Sequence, residues 1–148
     1  MKRVRVVCAG KLKESYLREG VAEYQKRLGA YCALSIVELP DLMGADAVKR
    51  ESESLLAKRR GFTVLLDAGG TLLTSEELAA TLDRAYLRTD EVTFIIGGSR
   101  GVDDTVRQAA DLTVSFGRLT YPHRLMRLLL SEQIYRAFTI LAGTPYHK

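Results

Sequence analysis

The chain has only two cysteines, Cys8 and Cys32, and neither stands at a spacing from a histidine that a zinc site would use. Each lies in or beside an apolar run, so both read as reduced core thiols, and no disulfide framework holds the fold. Histidine is equally scarce, with His123 and His147 alone, and no metal centre is expected. No apolar run approaches the roughly 18 residues that a membrane span needs. The N-terminal MKRVRVVCAGKLKE begins with basic residues, but Arg5 interrupts its short apolar stretch, unlike the core of a secretory leader. Repeats, low-complexity tracts and linkers are also missing. These absences lead to the expectation of a soluble cytoplasmic chain forming one domain over residues 1–148, without metal or membrane.

What is present is enough for a core. Of 148 residues, 47% are hydrophobic, a size and content that bury a core without staples. The formal net charge of +4 permits an anionic partner without demanding one. Its distribution is uneven: from Gly117 onward Arg118, Arg124, Arg127, Arg136 and Lys148 face Glu132 alone. That segment is a candidate nucleic-acid or phosphate footprint.

Short β-rich runs alternate with longer helical patterns. RVRVVCA, CALSIVEL, FTVLLD, EVTFIIGG and LTVSFG read as strands. SYLREGVAEYQKRLG carries Tyr16, Leu17, Val21, Tyr24 and Leu28 at helical spacing, GADAVKRESESLLAKRRG is a charged helix, and TSEELAATLDRAYLR is a helix capped by Thr74 or Ser75. VDDTVRQAA is a short helix between the last two strands. Such alternation predicts an α/β sandwich on a mostly parallel sheet, in which ligands bind beyond the carboxyl ends of strands. Three of those ends carry similar loops, at 66–70, 97–101 and 116–119, and their glycines allow a ligand to approach the backbone closely. The alternative is that each is simply a turn. The motif IIGGSRGV is not a dinucleotide fingerprint, since its glycines follow G-G-x-x-G rather than G-x-G-x-x-G, and no Gly-Lys-Ser/Thr follows for a phosphate loop.

Pro122 suits the first turn of a final helix running to about Leu141, with Gly143 as its stop signal. One apolar stripe comprises Met126, Leu130, Ile134, Phe138 and Leu141, and a second comprises Leu125, Leu128, Leu129 and Tyr135. Two stripes suggest that one packs on the sheet and the other on a second copy of the chain; a helix buried within the monomer is the alternative. Arg124, Arg127 and Ser131 fall on a polar edge of that helix. The tail Pro145-Tyr146-His147-Lys148 concentrates titratable and stacking groups where a terminus is usually featureless.

FIIGGSRGV, LTYPHRLMRLLLSEQIYRAFTILAGTPYHK, VLLDAGG and VRVVCAGKLKE together resemble the RlmH family, the 23S rRNA pseudouridine N3-methyltransferases of the SPOUT class, over essentially the whole chain. The resemblance implies an α/β fold with a C-terminal trefoil knot, a homodimer, S-adenosylmethionine as methyl donor, and large-subunit rRNA, modified in the assembled ribosome, as substrate. It maps cofactor contacts onto Leu66, Gly98 and the run Gly117, Arg118, Leu119, Thr120, Tyr121 and Pro122, with the glycines making room for the cofactor. For the chemistry, His147 and His123 are candidate bases by residue type. Tyr146 could stack on or hydrogen-bond the target base, and Arg136, or Arg124 across the dimer, could stabilise an oxygen that gains negative charge. Arg124, Arg127 and Lys148 are the candidate RNA contacts. The rival reading is a non-catalytic RNA- or ribosome-binding dimer of the same fold.

Overall fold

The computed structural model describes every residue from Met1 to Lys148. In chain order the elements are β1 (Arg3–Ala9), α1 (Ser15–Leu28), β2 (Ala33–Leu39), α2 (Ala47–Ala57), β3 (Phe62–Leu72), α3 (Ser75–Ala85), β4 (Glu91–Ile96), α4 (Asp104–Ala109), β5 (Leu112–Ser115) and α5 (His123–Ala142). The strands form one sheet in the order β2-β1-β4-β3-β5, and every pairing is parallel. Helices cover both faces, which is why a central strand such as β4 is buried at every residue. Alternate side chains of β1 supply the two cores. Val4, Val6 and Cys8 join Leu28, Leu82, Phe94, Leu130, Ile134 and Phe138 under α1, α3 and α5, whereas Val7 joins Leu55, Leu65, Ile95 and Val106 under α2 and α4. Burial pushes the thiols of Cys8 and Cys32 up to about 11, so both are inert core groups. No helix is long and apolar enough to cross a membrane.

Local chemistry sets the element ends. The Thr74 hydroxyl accepts from the Glu77 N–H at 3.0 Å while the Glu77 carboxylate accepts from the Thr74 N–H at 2.8 Å, a reciprocal box that starts α3. Strand β3 outlasts the expected FTVLLD. Its register against β5 shifts between Leu66 and Thr71, so Asp67–Gly70 form a bulge inside a strand rather than a loop after one. Gly70 permits this, because a Cβ there would meet the backbone of Thr113 at 2.7 Å.

Helix α5 begins just after Pro122, which caps it from outside the first turn. It ends at Gly143 with φ of 72°, and the Thr144 N–H returns to the Thr139 carbonyl at 3.0 Å. The helix lies between α1 and α3 on the sheet. The second apolar stripe is partly occupied within the chain. Leu128 fills the space left by Gly20 of α1, where a Cβ would come within 2.8 Å of its Cδ1, and Tyr135 packs against Tyr24 and Tyr31. Leu125, Leu128, Leu129 and Tyr135 all stay part-exposed, so the stripe keeps open surface beside these contacts.

The expected place of Arg127 is corrected. It is 1% exposed, not on a solvent edge. Its Nη1 donates to Glu38 at 2.6 Å and its Nη2 to the carbonyls of Gly10 at 2.9 Å and Ala9 at 3.3 Å. It holds α5 to the ends of β1 and β2 and is spent as an RNA contact. Arg127→Ala should lower the unfolding free energy in urea by about 3 kcal/mol, since it strands two interior carbonyls and a carboxylate. A loss under about 1 kcal/mol would return Arg127 to the surface.

Candidate active site

Strands β4, β3 and β5 are neighbours in the sheet, so the three glycine-bearing segments that follow or interrupt them converge at one edge. They ring a cavity of about 230 Å³ lined by Leu66, Gly98, Gly117, Leu119, Thr120 and Tyr121, with Ile96, Phe116, His123 and Met126 in its walls and the Asp67 carboxylate, paired with Arg107 at 3.5 Å, at its rim. Two residues of the expected cofactor run play other parts. Arg118 donates to the carbonyls of Ala68 and Gly70, at 3.2 Å to the latter, and thereby ties the β5–α5 segment to the β3 bulge. Pro122 sets the start of α5. The turn at Gly117 has φ of 125° and is fixed by the Ser115 hydroxyl, which accepts from the Gly117 N–H at 3.0 Å and donates to its carbonyl at 2.9 Å. A backbone-lined cavity bounded by leucines and a methionine, with no Lys or Arg among its lining residues, suits a nucleoside carrying positive charge better than a polyphosphate.

Glycine at 98, part of the cavity wall, answers a further need. A Cβ there would stand 3.0 Å from Glu51 Oε1 and 3.8 Å from Asp41 Oδ1. Its absence lets two carboxylates approach the loop from behind. On the cavity wall, burial and then the neighbouring Arg124 hold His123 below the usual histidine range. Its Nε2 is buried without a hydrogen-bond partner. A neutral imidazole results, able to accept or donate one hydrogen bond but adding no positive charge.

A second cavity of about 540 Å³ lies across the 116–121 segment, between α3 and α5, and shares Phe116, Gly117 and Tyr121 with the first. Glu132 stands in its wall, and the tail is docked beside it. Tyr146 donates to Glu132 at 2.8 Å. Its ring is edge-on to Tyr135 at 4.7 Å and lies under the Arg136 guanidinium at 4.8 Å. Burial, followed by hydrogen bonds with Tyr24 and Glu132, raises the phenol well above its ordinary range. Arg136 is paired with Glu132 at 2.7 Å and donates to His147 Nδ1 at 3.0 Å. The other ring nitrogen, Nε2, meets Glu76, whose carboxyl is lowered chiefly by that bond. Accepting from a guanidinium on Nδ1 places the His147 proton on Nε2. The structure thus brings Arg136, Tyr146 and His147 together, and leaves His123 with the other cavity.

The basic footprint is compensated in part, Arg118 meeting carbonyls but no carboxylate. Arg124 pairs with Asp41 at 3.4 Å, Arg127 with Glu38 and Arg136 with Glu132, so Lys148 is the exposed charge of the tail. Sequence patterning missed Glu38, Asp41, Glu51 and Glu132. Glu38 and Asp41 find their arginines only through long-range packing, Glu132 takes Arg136 one helical turn away, and Glu51 meets no cation but the Leu42 N–H.

A family model described as "Predicted SPOUT methyltransferase" matches residues 1–147. The chain is 48% identical to a ribosomal RNA large subunit methyltransferase H of Carboxydothermus hydrogenoformans, over 98% of this chain and 99% of that one. It is 44% identical to a protein of the same name from Streptococcus suis, over 99% of both. Among solved structures, the tRNA (m1G37) methyltransferase of Aquifex aeolicus superposes with a TM-score of 0.59 at 13% identity, covering 99% of this chain and 74% of that one, a likeness of fold.

Because the folded state holds His123 neutral where the unfolded chain would protonate, its contribution to stability is full above pH 6.5, the ordinary value, and declines as pH falls through the lower folded value. NMR titration of His147→Ala, which leaves one imidazole, should place the His123 midpoint below 6.5. A midpoint at or above that value would mean an exposed or anion-paired ring.

Proposed function

Since the chain belongs to the SPOUT methyltransferase family over nearly its whole length, we propose that it transfers a methyl group from S-adenosylmethionine to N3 of a pseudouridine in the 23S rRNA of the large ribosomal subunit, acting on assembled ribosomes in the cytoplasm as a homodimer. The single observation that carries the cofactor part is the convergence of three glycine-bearing segments on a cavity walled by backbone, leucines and a neutral histidine. The 116–121 segment lies against both earlier loops before α5 returns across the sheet, which supports the trefoil-knot reading. Exposed Leu72, Leu119 and Tyr121 around the two cavities support a partner surface, with a second copy as its occupant.

S-adenosylmethionine, when bound, supplies a methyl group made electrophilic by its sulfonium. Leu66, Gly98 and residues Gly117 to Tyr121 would hold its adenosyl part and keep water away, and Pro122 would fix the segment from α5. Alignment of nucleophile and methyl is then the larger part of catalysis. The pseudouridine N3 proton must also leave, and the tail is the proposed place for it. His147 is the base in this reading, once its Nδ1 parts from Arg136. Tyr146, kept protonated by its surroundings, positions the base as a hydrogen-bond donor or stacking surface. Arg136 and Lys148 offset charge on the deprotonated ring and the RNA backbone, and Arg124 offers a further contact to RNA where it leaves Asp41.

Deleting Tyr146 to Lys148 removes the base, a stacking group and a positive charge while sparing the residues around the first cavity. Calorimetric affinity for S-adenosylmethionine should stay within about twofold, and methylation of large subunits lacking the modification should fall by about 10²-fold or more, the usual worth of a general base. His147→Ala alone should lower the single-turnover rate at saturating large subunits. Full activity in both variants would disprove the tail's part in the chemistry. Absence of cofactor heat in the wild-type protein would favour a non-catalytic RNA-binding dimer.

A further inference from the structure

The mechanism leaves one buried charge unused. Glu51, on the inner face of α2, is 9% exposed, and a carboxylate so buried is normally paired with a cation. The nearby cations are committed elsewhere: Arg124 to Asp41 and Arg127 to Glu38. One Glu51 oxygen, Oε2, accepts from the Leu42 N–H at 2.7 Å. The other, Oε1, accepts no hydrogen bond within the protein and faces Gly98, at 3.0 Å from where a Cβ would stand. Gly98 is itself a wall of the three-loop cavity. In the same wall, His123 presents a buried, unpartnered Nε2. The cavity is thus backed by an unpaired negative charge, and the histidine beside it carries no positive one.

We propose that Glu51 is the counter-charge of the cofactor: acting through the bare backbone of Gly98, its carboxylate favours a nucleoside bearing a sulfonium over the neutral thioether left after methyl transfer. The proposal rests on the reading of the three-loop cavity as the S-adenosylmethionine site. Glu51 does not line the cavity, so its influence is that of charge across a glycine, where a low-dielectric interior screens weakly. Gly98 serves this by omission, since any side chain there would push the carboxylate away. The product loses the attraction when it loses its charge, which helps the cofactor exchange after each turnover.

Glu51→Gln tests this by keeping shape and an acceptor for the Leu42 N–H while removing the charge. Calorimetric affinities of the whole protein, wild type and variant, would be measured for S-adenosylmethionine and for S-adenosylhomocysteine, together with the melting temperature of the ligand-free protein. The variant's preference for the sulfonium over the thioether should fall on the order of tenfold, a typical effect of one unit charge in a protein interior. Its affinity for the thioether should stay within about twofold, and its melting temperature should be unchanged, because the Leu42 N–H keeps its acceptor. Equal losses for both nucleosides, an unchanged preference, a lower melting temperature or a failure to fold would each make Glu51 a structural carboxylate and overturn the proposal. If the wild-type protein binds neither nucleoside, the cofactor site falls and this inference with it; if it binds both and E51Q keeps their ratio, this inference alone falls.

Discussion

The guanidinium of Arg127 joins three parts of the chain that are far apart in sequence. It comes from α5, takes the carbonyls at the end of β1, and pairs with Glu38 near the end of β2. A buried arginine of this kind is tolerated where its charge is met, and here the carboxyl edge of the sheet supplies partners for Nη1 and Nη2, leaving Nε alone without one. That requirement fixes how α5 sits on the sheet and so where the preceding segment must run. The 116–121 stretch lies over the β3 and β4 segments because the helix it feeds is anchored beyond them. Arg118 secures the near end of the same stretch to the β3 bulge. One buried cation and one surface cation thus hold the lid and floor of the cavity in register.

Much of this was legible in the sequence where the signal is local. Strand β1 runs from Arg3 to Ala9 as its β-branched pattern indicates, and Thr74 caps α3 with the Glu77 partner that the spacing provides. Gly143 stops α5. The alternation of elements implied a mostly parallel sheet, and the observed sheet is parallel throughout. The resemblance to a methyltransferase family placed cofactor residues that do meet around one cavity, except Arg118 and Pro122, which support it.

The unread parts are those whose partners lie far along the chain. Arg127 has the helical spacing of a solvent-facing residue, and nothing near it in sequence announces Glu38, 89 positions away. Leu128 belongs to an apolar stripe whether it meets another subunit or Gly20, and periodicity does not name the neighbour. Glu51 sits in a helix dense with charges, most of them solvated. The β3 bulge was hidden for a different reason: Asp-Ala-Gly-Gly is turn chemistry, and only the resumption of pairing with β5 distinguishes a bulge from a loop.

Both ring nitrogens of His147 are engaged, one by Arg136 and the other by Glu76, and Tyr146 is held by Glu132 and flanked by Tyr135. A docked tail is a population, and the proposed chemistry at His147 would draw on the fraction that is undocked. If one molecule in about ten is undocked at rest, the apparent affinity for an RNA that needs a free tail is lowered about tenfold from its intrinsic value. If the tail acts as proposed, Glu76 and Glu132 would bear on substrate recognition without touching substrate. Weakening either contact would then raise the undocked fraction, while loosening the grip that orients the His147 imidazole.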